Sequence, residues 1–312
     1  MAGIYVHIPF CKKACYYCNF HFSTSTLTAN EMIYAIGMEA KLRKYYSKEK
    51  VTTVYIGGGT PSLLTITHLR TLLEKLRDNF SILSDAEVTL EANPDDINIE
   101  SLLQWKSAGI NRLSIGVQSF RDADLQWMNR AHNARQALGC IQLATKTGFN
   151  NLSIDLIYGT PTLSNEQWIQ NIEQAIALDV HHLSCYALTV EPKTALYHLI
   201  KEKKVANVDE ETQSVQFEIL INRLCEAGYE HYEISNFAKP GFQSKHNSSY
   251  WQGKPYIGLG PSAHSFNGVS RQWNVANNAL YIASLKIGEV PFEIEYLTPQ
   301  QQLNEYIMTS LR

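Results

Sequence analysis

Three cysteines, Cys11, Cys15 and Cys18, fall at C-x3-C-x2-C within eight residues. They directly follow Tyr5-Val6-His7-Ile8, a run that alternates as a strand does. Three thiolates on one loop hold three irons of a cubane [4Fe–4S] cluster and leave the fourth iron without a protein ligand. An open iron is a place for a small molecule to bind the metal, the arrangement needed to reduce S-adenosylmethionine and make a radical. Two other readings of these residues stay open. His21 would complete a Cys3His zinc set, although zinc knuckles usually sit in small domains and this loop opens a long α/β chain. Disulfide pairing is the third, and an N-terminus with no secretion signal in a chain of six cysteines argues against it.

Other residue groups lie downstream. Gly57-Gly58-Gly59-Thr60-Pro61-Ser62 follows a β-branched run; glycines there let backbone approach a ligand, and successive N–H groups suit a carboxylate or phosphate oxygen. It lacks the Gly-Lys-Ser/Thr ending of a P-loop, and alone it reads equally as a tight βα turn. Glu91, Gln118 and Asp155 stand at or near strand ends, where acids and amides meet amino and ribose hydroxyl groups. Arg130 is able to pair with a carboxylate bidentately, although taken alone it reads better as part of a solvated helix face. His246-Asn247-Ser248-Ser249-Tyr250-Trp251 offers an imidazole for a heme iron and aromatics for a porphyrin face, or else a turn filling a small core. Gly258 to Ser265 forms a second flexible loop with a histidine, His264, while His181 and His182 read as strand-edge residues. Cys140, Cys185 and Cys225 are scattered singly and read as small buried thiols.

Positioning these groups falls to an alternation of strands and helices. Helical spacing covers 28–44, with Thr28 and Glu31 as a capping box. Strand Val51–Ile56 follows, then a helix over 65–80, strand Glu87–Glu91 and a helix over 98–108. Strand Arg112–Val117 leads to helical segments across 122–147, and strand Asn151–Ile157 to a helix over 164–178 and strand His182–Leu188. Six such units predict an α/β fold with a parallel sheet in an open, partial (β/α)6 barrel, with ligands at the carboxyl ends of the strands. The alternation ends near 195. The expected division is a barrel over 1–195 and a smaller C-terminal α+β part over 196–312. That part holds a helix over 213–227, one last strand over 229–237, a Gly-, Pro- and Ser-rich stretch over 239–274, and helices over 276–287 and 298–312. The last carries Leu303, Tyr306, Ile307 and Leu311 as a buried stripe.

Length and composition set the bounds. The chain has 312 residues, enough for one large core or two domains. A net charge of −3 gives no basic excess for nucleic acid or an anionic membrane surface. No apolar run reaches the roughly 18 residues of a spanning helix. Reduced cysteines imply a cytoplasmic setting.

Together these residues resemble the radical S-adenosylmethionine proteins of the oxygen-independent coproporphyrinogen III oxidase group. Tyr5 to Cys11, Gly57 to Ser62, Glu91 to Pro94, Arg112 to Phe120, Ser153 to Pro161 and Glu191-Pro192 carry the likeness. It implies a radical S-adenosylmethionine barrel whose three cysteines hold a [4Fe–4S] cluster, with S-adenosylmethionine on the open iron. By matching motif positions it implies Tyr5, Gly58, Gly59, Thr60, Glu91, Gln118, Arg130, Asp155 and Ala187 as S-adenosylmethionine contacts. Within the group the chain looks like the heme chaperone branch. The fourth cysteine of the oxidases is replaced here by Phe20, and their N-terminal extension is missing. His246-Asn247-x-x-Tyr250-Trp251 matches that branch's H-N-x-x-Y-W element, which implies His246, Tyr250 and Trp251 in heme handling. The resemblance implies heme as cargo and heme-acceptor proteins, notably respiratory ones, as partners. Coproporphyrinogen decarboxylation is not expected; radical chemistry on that or another substrate is the alternative. The resemblance also implies a small helical domain after Arg312, so the chain reads as truncated.

Overall fold

The computed structural model describes residues 2–47 and 49–312. β1 (Ala2–Ile8) leads through the cysteine loop to α1 (Ala29–Leu42), β2 (Val51–Gly58), α2 (Ile66–Asn79), β3 (Ile82–Ala92), α3 (Ile99–Ala108) and β4 (Arg112–Gln118). α4 (Asp122–Trp127), α5 (Ala134–Lys146), β5 (Leu152–Tyr158), α6 (Asn165–Ala177) and β6 (His182–Ala187) complete the alternation. The six strands lie side by side in chain order, each parallel to the next. The expected open (β/α)6 barrel is therefore formed.

Side-chain alternation along the strands decides what each face of the sheet carries. Ile4, Val6 and Ile8 of β1, Val54 and Ile56 of β2, and Leu113, Ile115 and Val117 of β4 belong to one continuous buried core beneath the helices. The intervening residues are mostly polar and turn the other way. Helix ends are marked by short polar side chains that satisfy the first free N–H groups. Asn98, Asn133 and Ser164 form capping boxes with Ser101, Gln136 and Gln167. Thr28, expected to do the same with Glu31, makes no side-chain cap hydrogen bond.

The rest of the chain extends the same sheet at both edges. After α7 (Ala195–Lys201) and α8 (Glu210–Glu226), the single strand expected over 229–237 is a hairpin, β7 (Glu230–Glu233) and β8 (Asn236–Ala238), added antiparallel to β6. The stretch over 239–274 holds α9 (Lys245–Trp251), β9 (Tyr256–Leu259), β10 (His264–Phe266) and β11 (Ser270–Asn274). β9 pairs parallel with β1, and β10, β11 and β12 (Phe292–Tyr296) run on antiparallel beyond it. His264 thus stands on a strand, not in a flexible loop. α10 (Asn278–Lys286) precedes β12, and α11 (Pro299–Ser310) follows it. The stripe on α11 is exposed: Leu303, Tyr306, Ile307 and Leu311 all face solvent.

A buried ionic cluster fastens this extension to the barrel. Glu39 of α1, fully buried, accepts from Arg43 (2.9 Å), the Gly260 N–H (2.9 Å), Asn274 Nδ2 (2.8 Å) and the Tyr281 hydroxyl (2.5 Å). Arg43 also donates to the Gly258 carbonyl, Ser265 Oγ and Gln272 Oε1. A buried charge with this many partners is held, and removing any one leaves the others uncompensated.

Candidate functional site

The carboxyl ends of β1 to β6 open on a cavity of about 440 Å³. Its walls take every second residue of the strands: Ser114, Gly116 and Gln118 from β4, Asp155 and Ile157 from β5, Ser184 and Tyr186 from β6. Cys11, Cys15 and Cys18 line it too. The loop bearing them is tied down along its length. Lys12 bridges Asp95 and Asp96 at 2.6 and 2.7 Å, and Asn129 Nδ2 donates to the Ala14 carbonyl at 2.7 Å. The Tyr16 N–H donates to Met128, and the Tyr16 carbonyl accepts from Leu196.

Burial pushes the Cys11 thiol up to about 11, a Thr60 hydrogen bond opposing it, and burial raises Cys18 as well. Thiols so placed gain by exchanging the proton for a cationic metal. Among the described residues, no three His, Cys, Asp or Glu side chains converge on a single-ion site. His21 does not complete a zinc set: its Nε2 is engaged by Asn278 Oδ1 at 2.8 Å, in a different cavity. Three thiols around one cavity are the donor set of a cubane with an open corner.

Arg130 lies in the turn between α4 and α5, half-buried, and not on a solvated helix face. Its Nη1 donates to Cys15 Sγ at 3.3 Å, and its Nη2 to Asn93 Oδ1 at 2.8 Å and the Gly116 carbonyl at 2.9 Å. Nε is buried without a partner. An unpartnered guanidinium donor on a residue lining a cavity beside the three loop thiols fits a carboxylate such as that of S-adenosylmethionine.

Glu91 accepts from the Tyr55 hydroxyl at 2.7 Å and from the Gly58 N–H at 3.1 Å. Burial pushes its carboxyl up to about 7, with the Asp155 charge adding to the rise. Asp155 is raised to about 6, again chiefly by burial, while hydrogen bonds from Ser184 and Ser114 pull it down. Two carboxylates in this state suit an amino group and ribose hydroxyls. Gln118 stands beside them with φ +64°, a strained backbone for a residue with a side chain, as occurs where a ligand is gripped.

The triple glycine serves differently from the expectation. The Gly58 N–H is taken by Glu91, Gly59 donates to the Ile8 carbonyl, and Thr60 to the Phe10 carbonyl. No run of free N–H groups awaits an anion there. The loop is glycine because it is crowded: a Cβ on Gly57 would stand 2.7 Å from Glu91 Oε1. Gly58, at φ +105°, would place one 2.5 Å from His7 Nδ1. Close packing brings Gly58, Gly59 and Thr60 to the cavity wall, together with Ala187.

Of the residues singled out in the sequence, only Tyr5 lies off this cavity among the S-adenosylmethionine candidates. It lines a second cavity of about 780 Å³, stacked near Tyr55 at 6.2 Å and bonded to His7. Asn19 and Phe20 border both cavities, and α9 contributes Asn247 to the first and Tyr250 and Trp251 to the second. His246 itself is in the core. Its Nδ1 meets Thr53 Oγ1 and its Nε2 the Tyr250 hydroxyl, both at 2.8 Å, and burial drives its pKa down to about 3. It has no ring nitrogen to offer an iron. Sequence reasoning missed Tyr55, Asn93, Ser114, Ser184 and Tyr186; counting by twos along each strand from the residues already singled out reaches the last three.

The Radical SAM superfamily model matches residues 5–175. Heme chaperone HemW of Bacillus subtilis is 35% identical over 316 residues, covering 100% of this chain and 83% of that protein. Heme chaperone HemW of Escherichia coli is 37% identical over 265 residues, covering 84% and 69%. Among solved structures, coproporphyrinogen III oxidase (HemN) from Escherichia coli, a radical SAM enzyme, superposes with a TM-score of 0.87 at 25% identity, over 99% of this chain and 75% of that one. The chain belongs to the radical SAM superfamily and, within it, to the family of the heme chaperone HemW.

Proposed function

We propose that this chain binds heme and delivers it to acceptor proteins, respiratory ones among them, in the cytoplasm. It does so as a protein carrying a [4Fe–4S] cluster on Cys11, Cys15 and Cys18 and S-adenosylmethionine in the neighbouring cavity. The observation carrying this reading is the 35% identity to a heme chaperone along the whole chain. A second, larger cavity beside the cysteine loop supports it, since about 780 Å³ lies within the roughly 300–1,000 Å³ of small-molecule sites. The cluster and S-adenosylmethionine supply one-electron chemistry when bound. The chain's own part is to hold them: Arg130 offers Nε to a carboxylate, Glu91 and Asp155 accept from amino and hydroxyl groups, and Gln118 closes the strand end over the ligand.

The rival reading is an oxidase acting on coproporphyrinogen III, which the likeness to HemN favours. Phe20 counts against it, standing where the oxidases of the resemblance carry a further cysteine. The deciding experiment is anaerobic reconstitution followed by coproporphyrinogen III, S-adenosylmethionine, a low-potential one-electron reductant for the cluster and a terminal electron acceptor on the same sample. A heme carrier leaves the substrate unchanged. Protoporphyrinogen and 5′-deoxyadenosine accumulating together over many turnovers overturns the carrier reading.

A further inference from the structure

The second cavity has the features of a porphyrin seat, and its histidines are not equivalent. His7 has both ring nitrogens engaged, Nδ1 by the Tyr5 hydroxyl (3.1 Å) and Nε2 by the His21 carbonyl (2.8 Å). His21 is held through Nε2 by Asn278. His246 is enclosed behind Tyr250. Among the described residues, His264 is the lining histidine for which neither ring nitrogen has a hydrogen-bond partner, and its side chain is solvent-accessible.

The strand register gathers further groups around it. His264 and Phe266 lie two apart on β10 and so share a face, and Phe266 is paired with Arg271 of β11. Phe266 packs near Tyr256 (6.3 Å), and Tyr256 meets Tyr250 edge-on (4.5 Å), a continuous aromatic wall beside the imidazole. Arg271 forms an ion pair with Glu305 of α11 at 2.7 Å. A carboxylate from outside is able to compete with Glu305 for that guanidinium.

We infer that heme sits in this second cavity with His264 as its axial base and Arg271 as the partner of a propionate, and that His246 only buttresses the wall. The inference rests on the heme-carrier reading and goes beyond it by naming the seat and the ligand. Burial and the neighbouring Arg271 hold His264 below the usual histidine range, which keeps a nitrogen lone pair free at neutral pH. Because Asn19 and Phe20 border both cavities, the seat adjoins the cluster loop.

The test is titration of the reconstituted protein with hemin, read by Soret absorbance and electron paramagnetic resonance. The unaltered protein binds saturably with a histidine-type signature. His264→Ala loses that signature and binds at least tenfold more weakly, and added imidazole restores it; circular dichroism and iron content serve as controls for its fold. Arg271→Ala weakens binding several-fold with the signature kept, and His246→Gln retains it. If the unaltered protein binds hemin and His264→Ala matches it in both readouts, the seat is wrong and the carrier reading survives. Loss of the signature in a folded His246→Gln but not in His264→Ala also overturns the seat. No saturable binding by the unaltered protein overturns both.

Discussion

Arg130 reaches across 115 residues of sequence to donate a hydrogen bond to Cys15 Sγ at 3.3 Å. One guanidinium thereby touches a thiol of the cysteine loop while Asn93 and Gly116 fix its plane and Nε is without a partner. On the proposed reading this side chain would link the cluster to its S-adenosylmethionine. Arg130→Ala should lower S-adenosylmethionine affinity of the reconstituted protein about 10- to 100-fold, the effect of roughly 1.5–3 kcal/mol for a hydrogen bond to a charged group. Arg130→Lys should recover little, since an ammonium cannot serve those partners in one plane. Equilibrium binding at fixed iron content checks it; unchanged affinity in Arg130→Ala contradicts the assignment.

Each of Cys11→Ala, Cys15→Ala and Cys18→Ala should abolish the [4Fe–4S] absorbance after anaerobic reconstitution. Cys140 and Cys185 are buried away from the cavity, and Cys225, expected to be buried as well, is exposed near the end of its helix, so alanine at these should leave four irons bound per chain. Iron and sulfide analysis distinguishes the two sets, and a single zinc in place of iron contradicts the cluster.

Glu91 sets a pH dependence. Its folded pKa of about 7 is above the ordinary 4.5. Its contribution to fold stability is therefore fully present below the ordinary value and is lost as pH rises through about 7. Ligand binding runs the other way, because the ionised carboxylate is the stronger acceptor. S-adenosylmethionine should bind more tightly as pH rises through about 7, and Glu91→Gln should remove the part of the slope centred there. Calorimetric titration across that range checks it, and identical profiles for the two proteins rule out Glu91 as the titrating group.

Glu39 carries the attachment of β9 to β12 and α10 to the barrel. Glu39→Ala leaves Arg43 buried without its anion, which should cost about 3–5 kcal/mol in denaturant unfolding. Because β9 pairs with β1 beside the cysteine loop, cluster retention should fall with it. A loss below about 1 kcal/mol sinks this reading.

The barrel was legible because six strand–helix units repeat, and parallel strands need crossovers. The cysteine loop was legible because its ligands are local in sequence. What lay beyond reading was set by long-range contacts. Arg130 looks like a helix-surface residue until the Cys15 loop is folded against it, and His246 looks like a metal ligand until Thr53 and Tyr250 take its nitrogens. β8 to β11 are three to five residues long, too short for a period to show, and they exist because β1 and β6 offer edges to pair with. Glu39 lies on a helix with no sequence signal for the partners that bury it.

The central claim is that heme is delivered, and transfer kinetics test it most directly. Protein loaded with one heme is mixed with the apo form of a b-type respiratory heme protein, and separately with an excess of apomyoglobin as a passive sink. Delivery predicts a transfer rate to the respiratory acceptor that rises with acceptor concentration and exceeds release to the sink. Equal rates for the two, independent of acceptor concentration, mean that heme simply dissociates, and contradict the account.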